Sequence, residues 1–133
     1  MTRRSAILCV DDEPNILALR SALLGMAGYK VHVANDGRSA LEIFSNEVVD
    51  LVVLDYDMPG MTGDNVAKEM RHLRKDVPLL LVTAFHDLPA TCTSIFDATV
   101  VKGDAPTVLL EKISSLLREA PVLAHSNRIT LAM

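Results

Sequence analysis

Residues 51–54 read Leu-Val-Val-Leu, an unbroken apolar run with two β-branched members, and the run stops at a carboxylate, Asp55. A run with no polar alternation fits a strand covered on both faces, as in a parallel sheet flanked by helices. Pro59, Gly60 and Gly63 follow and break regular structure, so Asp55 stands where a buried strand emerges into a loop at its carboxyl end. Ligands of open α/β sheets bind at that edge. An ionised carboxylate there is costly unless charge partners meet it, and those partners must come from other strand ends.

Four more strand-like runs flank this one. Residues 5–10 are apolar and close on Asp11-Asp12-Glu13-Pro14, three consecutive acids at a strand end. Pro14 suits the first turn of a helix, and Ile16, Leu17, Leu19, Leu23 and Leu24 continue an apolar stripe to Gly28. Tyr29, Val31 and Val33 alternate with Lys30 and an outward His32, the pattern of a half-exposed strand near a sheet edge. Asn35-Asp36-Gly37 is a turn, and Ala40, Leu41 and Phe44 carry a helix to Asn46. After the central strand, Asp64 is expected to cap a helix running to about Lys75 with Val66, Met70 and Leu73 inward.

Residues 77–83 form a fourth apolar strand ending on Thr83-Ala84. The segment 85–97 contains Pro89 and Thr91-Cys92-Thr93-Ser94, poor helix interiors, so its helix is expected to be short and held by Leu88, Ile95 and Phe96. Residues 98–101 are a fifth strand ending at Lys102-Gly103. Asp104 before Ala105-Pro106 then starts a last helix with Val108, Leu109, Ile113, Leu116 and Leu117 on one face, ended by Pro121.

A chain of 133 residues is expected to make one domain, here residues 1–120 with a tail at 121–133, and to be too short for that domain plus an output module. Half the residues are hydrophobic and mean hydropathy is +0.27, but no apolar run is long enough to span a bilayer. No secretory signal is apparent, so a cytoplasmic protein without membrane insertion is expected. The net charge of −4, with no basic cluster beyond residues 71–75, argues against direct nucleic-acid binding. That cluster reads as a solvated last helical turn. Cys9 and Cys92 are expected to be reduced thiols used for packing.

Strands alternating with helices imply right-handed crossovers and helices on both faces. Five strands and five helices fit the flavodoxin-like doubly wound parallel sheet of order 2-1-3-4-5. In that order Asp11, Asp12 and Asp55 converge, and Thr83 and Lys102 arrive from the next two strand ends. Any one of these residues alone would be an ordinary turn residue or ion-paired strand end. Carboxylates sharing one cleft repel each other, so the site needs a cation, and hard oxygen ligands with room for waters suit magnesium. A metal, a lysine and a hydroxyl facing a carboxylate equip a site for phosphoryl transfer, with Asp55 the candidate nucleophile.

The sequence resembles a response regulator receiver domain of two-component signalling over roughly residues 5–119. The resemblance rests on Asp11-Asp12, Asp55 with Met58-Pro59-Gly60-Met61 and Gly63, Thr83-Ala84, and Lys102. It implies that Asp55 accepts a phosphoryl group from a sensor histidine kinase or a histidine phosphotransfer protein. It also implies that Asp11 or Asp12 and Asp55 hold Mg2+ with the backbone carbonyl of Asp57, that Lys102 pairs with the phosphoryl group, and that Thr83 bonds it on switching. Two positions depart from the family. Gly103 stands where proline usually follows the lysine, and Thr99 stands where an aromatic usually switches, so Thr99 can signal only by a smaller movement.

The resulting expectation is a single-domain response regulator that catalyses its own phosphorylation and dephosphorylation without small-molecule turnover. It would signal through a downstream protein target, as a phosphorelay member or otherwise, with a homodimer left open. The response is expected to concentrate in residues 85–97. Two alternatives are a pseudo-receiver that binds partners without phosphorylation and a haloacid-dehalogenase-type phosphatase using Asp55 and Asp57 as a DxD motif.

Overall fold

The computed structural model describes residues 3–84 and 87–118. Five parallel strands, β1 (Ala6–Val10), β2 (Lys30–Ala34), β3 (Leu51–Asp55), β4 (Leu79–Thr83) and β5 (Ala98–Val101), lie in the order β2-β1-β3-β4-β5. The helices are α1 (Pro14–Met26), α2 (Gly37–Asn46), α3 (Gly63–Leu73), α4 (Ala90–Thr93) and α5 (Pro106–Leu116). The expected sheet and its order are therefore present, and the helix in the weak segment shrinks to the single turn of α4. The tail at 121–133 and Pro121 lie outside the described residues.

Strand residues alternate between two cores, the consequence of a period of two in a sheet covered on both faces. Leu8, Val10, Val52 and Leu54 pack with Ala40 and Phe44 of α2 and Val66, Ala67 and Met70 of α3. Ile7, Cys9, Leu51 and Val53 pack on the other face with Leu17 and Leu24 of α1 and Leu109 and Ile113 of α5. Ile95 and Phe96 lean on the first core, which holds the chain around α4 where helix propensity does not. Burial pushes the Cys9 thiol up to about 12, so it packs as a neutral side chain.

Several side chains depart from the expected faces. Leu19 is 72% exposed because α1 is apolar nearly all round and turns its Leu17 and Leu24 side, two turns apart, to the sheet. Leu73 is 52% exposed at the last position of α3, where Arg74 instead lies over the Phe44 ring at 5.0 Å. Val33 is exposed on the edge strand β2, where α1 and the turn after β2 leave a groove lined by Leu17, Val33 and Asn35.

Two expected caps also move. Thr62, rather than Asp64, occupies the N-cap of α3. Asp64 sits in the first turn, where its charge suits the dipole, and accepts a hydrogen bond from the Thr62 hydroxyl at 2.5 Å. Ala105 is the N-cap of α5, while Asp104 turns back and accepts from the Val101 N–H at 3.2 Å. Asp36 does cap α2, accepting from the Ser39 N–H at 2.7 Å. β4 begins at Leu79, two residues later than expected, because Pro78 has no N–H and joins the ladder only through its carbonyl, which accepts from Val52.

Arg71 is no solvated last turn. Its guanidinium donates to the carbonyls of Ile95, Val77 and Lys75 and pairs with Asp97 at 2.6 Å, tying α3 to both ends of the loops around β4. At the opposite edge from the site, Asp50 accepts from Arg3 at 2.7 and 2.8 Å and from the Ala6 N–H at 2.6 Å. The Arg3 guanidinium holds the Asp50 carboxyl below its usual range against the opposing effect of burial. A depressed carboxylate contributes stability above the ordinary carboxylate range and loses it as pH falls through the folded value. Asp50→Asn should therefore cost about 1 kcal/mol at neutral pH, with the gap from the parent closing in acid, measured by urea unfolding at a series of pH values.

Candidate functional site

The carboxyl ends of β1, β3, β4 and β5 build one site. Val10 lies opposite Leu54, Asp55 opposite Val82, and Thr83 opposite Val101, so Asp11, Asp55, Thr83 and Lys102 emerge side by side. The ladder continues one step past β5, where the Lys102 N–H donates to the Thr83 carbonyl at 2.7 Å. Asp11, Asp55 and Thr83 are each 1% exposed, a concentration of buried polar groups found nowhere else among the described residues apart from Ser114.

One carboxylate oxygen each from Asp11, Asp12 and Asp55 lies within 4.8 Å of the others. Lys102 Nζ stands 3.0 Å from Asp55 Oδ1, with the lysine side chain 35% exposed. Oδ2 of Asp11 is buried with no hydrogen-bond partner, while the buried Asp55 carboxylate is met by the Lys102 ammonium and the Asp57 N–H. Burial pushes the Asp55 carboxyl up, with Lys102 opposing this and the Asp11 charge adding to it. Burial works to lower Lys102, but the carboxylates of Asp55, Asp11 and Glu13 outweigh it and raise the ammonium, which stays charged.

The donor set tests whether a metal fits. Carboxylate oxygens converging from three residues, two of them buried, are the hard ligand set that Mg2+ takes, and Lys102 with Arg20 leaves one of the three acids unbalanced. The residues present fit the ion. Asp57, expected to lend its backbone carbonyl, lies just beyond β3 with an exposed side chain, and its carboxylate is not part of the trio.

The loop after β3 is drawn tightly under Asp55. The Gly63 N–H donates to the Tyr56 carbonyl at 2.9 Å, and a Cβ on Gly63 would stand 2.6 Å from the Asp55 carbonyl oxygen. Only glycine permits that approach. Gly103 takes φ +99°, a left-handed turn that delivers Lys102 to Asp55 in this chain. Thr99 is half-buried in β5 beside Leu81, and its carbonyl accepts from Lys112 of α5 at 2.6 Å.

Of the expected site residues, Asp11, Asp12, Asp55 and Lys102 are brought together, Thr83 arrives at the adjacent strand end, and Thr99 lies deeper in β5. Sequence reading missed Arg20, whose Nη1 stands 3.6 Å from Asp11 Oδ2. Its signal was available, since it is the one charged residue of α1.

The upward shift of the Asp55 carboxyl, driven by burial, predicts a pH effect on the ion-free protein. A carboxyl whose folded value lies above its unfolded one loses stability as pH climbs from the ordinary carboxylate range through the folded value. Asp55→Asn should therefore raise the unfolding midpoint at neutral pH in the presence of a chelator and make little difference in acid. Equal midpoints at all pH values would mean that Lys102 fully compensates the burial.

The chain matches the response regulator receiver domain family over residues 7–114. It is 36% identical over 130 residues to a Guillardia theta protein named "Probable transcriptional regulator ycf27", covering 96% of this chain and 51% of that one. It spans about half the length of the curated relatives it matches. Among solved structures it is similar to the response regulator protein TrrA of Thermotoga maritima in complex with Mg(2+)-BeF, with a TM-score of 0.78 and 40% identity over 84% of this chain and 98% of that one. A structure of TrrA in complex with histidine kinase ThkA gives a TM-score of 0.79 at 40% identity, covering 85% and 98% respectively.

Proposed function

This chain belongs to the response regulator receiver family, and from that premise we propose that Asp55 accepts a phosphoryl group from a phosphohistidine on a sensor histidine kinase or histidine phosphotransfer protein. The observation that carries this reading is the buried Asp55 carboxylate, 1% exposed, set 3.0 Å from Lys102 and clustered with two further acids. An Asp55 oxygen attacks phosphorus, the P–N bond breaks, and its electron pair returns to the imidazole nitrogen. Lys102 stands where it can meet the charge of the incoming oxygens, and Thr83 lies at the neighbouring strand end for the hydroxyl contact that follows. Magnesium, held by Asp11, Asp12, Asp55 and the Asp57 backbone carbonyl, supplies neutralisation of phosphoryl charge when bound.

TrrA is described with Mg(2+)-BeF and in complex with a histidine kinase, which supports the same ion and donor class for this chain. No helix among the described residues is long and apolar enough to cross a membrane, and we place the exchange in the cytoplasm. Output goes to a protein target. The ycf27-named relatives extend well beyond the matched region and are named as transcriptional regulators, which favours, as a second reading, a target or attached segment that contacts DNA. The phosphatase reading is set aside, because Asp57, its required second acid, is exposed and outside the carboxylate trio.

Magnesium with beryllofluoride tests the phosphoryl-acceptor reading. Saturable amide shifts around Asp55, Thr83 and Lys102 are expected in the parent and none in Asp55→Asn; a parent that ignores the reagent is a pseudo-receiver. The same reagent tests where the response lies. Thr83 and Lys102 flank a segment whose described helix, α4, is one turn long, and weakly stabilised elements are the ones easily repopulated. Hydrogen exchange should change in residues 87–97, whereas change confined to residues 104–118 would place the output on α5.

A further inference from the structure

Arg20 turns inward from α1 and is only 12% exposed. Its Nη1 lies 3.6 Å from Asp11 Oδ2, within ion-pair range but too long for a hydrogen bond. Both atoms are buried and neither has a hydrogen-bond partner. The other Asp11 oxygen is committed, since Oδ1 accepts from the Glu13 N–H at 3.0 Å. The carboxylate is thus fixed by one oxygen and offers the second to Arg20.

A guanidinium and a carboxylate that have both left water without gaining a hydrogen bond recover little of their desolvation cost. Such a pair is readily exchanged for a partner of higher charge density. Asp11 belongs to the carboxylate trio, so a divalent ion bound there would meet the positive charge of Arg20 as well as the acids. Beyond Arg20 lies a cavity of about 350 Å³ between α1 and the turn before α5, lined also by Leu19, Leu23, Lys102 and Pro106. It has room to receive the side chain.

We propose that Arg20 is the resting counter-ion of Asp11, a positioning residue that balances the acidic site before magnesium binds and yields Asp11 when it does, so that Arg20 sets the metal affinity. The inference rests on the magnesium reading given above. Lys102 serves Asp55 and Arg20 serves Asp11, so each fully buried carboxylate has its own cation in the ion-free protein. A competing cation lowers affinity for the ion that replaces it.

Calorimetric titration of the full chain with magnesium decides it, using the parent, Arg20→Met and Arg20→Gln, the last keeping a polar group for Asp11 in case methionine does not fold. Both neutral variants are expected to bind magnesium about tenfold more tightly, equivalent to about 1.4 kcal/mol. Their unfolding midpoints should fall in chelator and recover more than the parent's on adding magnesium. A merely structural arginine would lower the midpoint equally in both conditions and leave the affinity alone, which overturns the proposal. Unchanged or weaker affinity in both variants overturns it as well. A parent that binds no magnesium overturns both this proposal and the site reading, so the two failures are distinguishable.

Discussion

Asp55→Asn should leave a folded protein that takes up no phosphoryl group at this position. The substitution keeps the shape of a side chain that is 1% exposed at the end of β3, so the ladder to Val82 and the tight loop to Gly63 have no reason to change. What it removes is the nucleophile, because an amide oxygen carries no negative charge with which to attack phosphorus. Loss of a covalent nucleophile costs on the order of a thousandfold or more, which places the variant below detection. It also takes one acid from the trio, so magnesium affinity should fall. Persisting phosphorylation at parental rate would show that another residue is the acceptor.

Lys102→Ala should carry the second largest effect, a fall of about a hundredfold in the rate of phosphoryl uptake with magnesium binding retained. The ammonium at 3.0 Å from Asp55 Oδ1 is the one lysine at the site, held by a backbone bond to Thr83 on one side and by the Gly103 turn on the other. A preorganised charge aimed at developing negative charge is worth about 10²–10³ in rate. The substitution removes a group that opposes the rise of Asp55, so the carboxyl should also titrate higher still in the ion-free variant. Single-turnover phosphorylation by acetyl phosphate measures the first effect. A parental rate would reduce Lys102 to a counter-ion of the resting state.

The arrangement of these groups was legible because each came at the end of an apolar run. Asp55 after residues 51–54, Asp11-Asp12 after β1 and Lys102 after β5 needed only the strand count to bring them to one edge, and the neighbours across the ladder fix their spacing. Arg20 was not legible in the same way. α1 is apolar on nearly every side, so periodicity does not say which face turns inward, and the same ambiguity left Leu19 on the wrong side. Arg71 failed for a different reason. A cation in the last turn of a helix normally faces water, but here the turn after α3 offers the Lys75 and Val77 carbonyls and the tertiary return of residues 95–97 adds the Ile95 carbonyl and the Asp97 carboxylate.

Glycines carried more than sequence pattern could assign. Gly63 read as a breaker, and its real constraint is the Asp55 carbonyl that any Cβ would strike. Gly103 read as a departure from the resembling family. With φ at +99° it is the means by which this chain turns from β5 and still presents Lys102 to Asp55. The caps at Thr62 and Ala105 moved because the nearby acids found other partners, Asp64 the Thr62 hydroxyl and Asp104 the Val101 N–H.

Intact and peptide mass spectrometry of the parent after incubation with acetyl phosphate and magnesium reaches the central claim most directly. One phosphoryl adduct is predicted, dependent on magnesium, labile to hydroxylamine as an acyl phosphate, and confined to the peptide containing Asp55. No adduct under those conditions, or an adduct on a peptide without Asp55, would contradict the account.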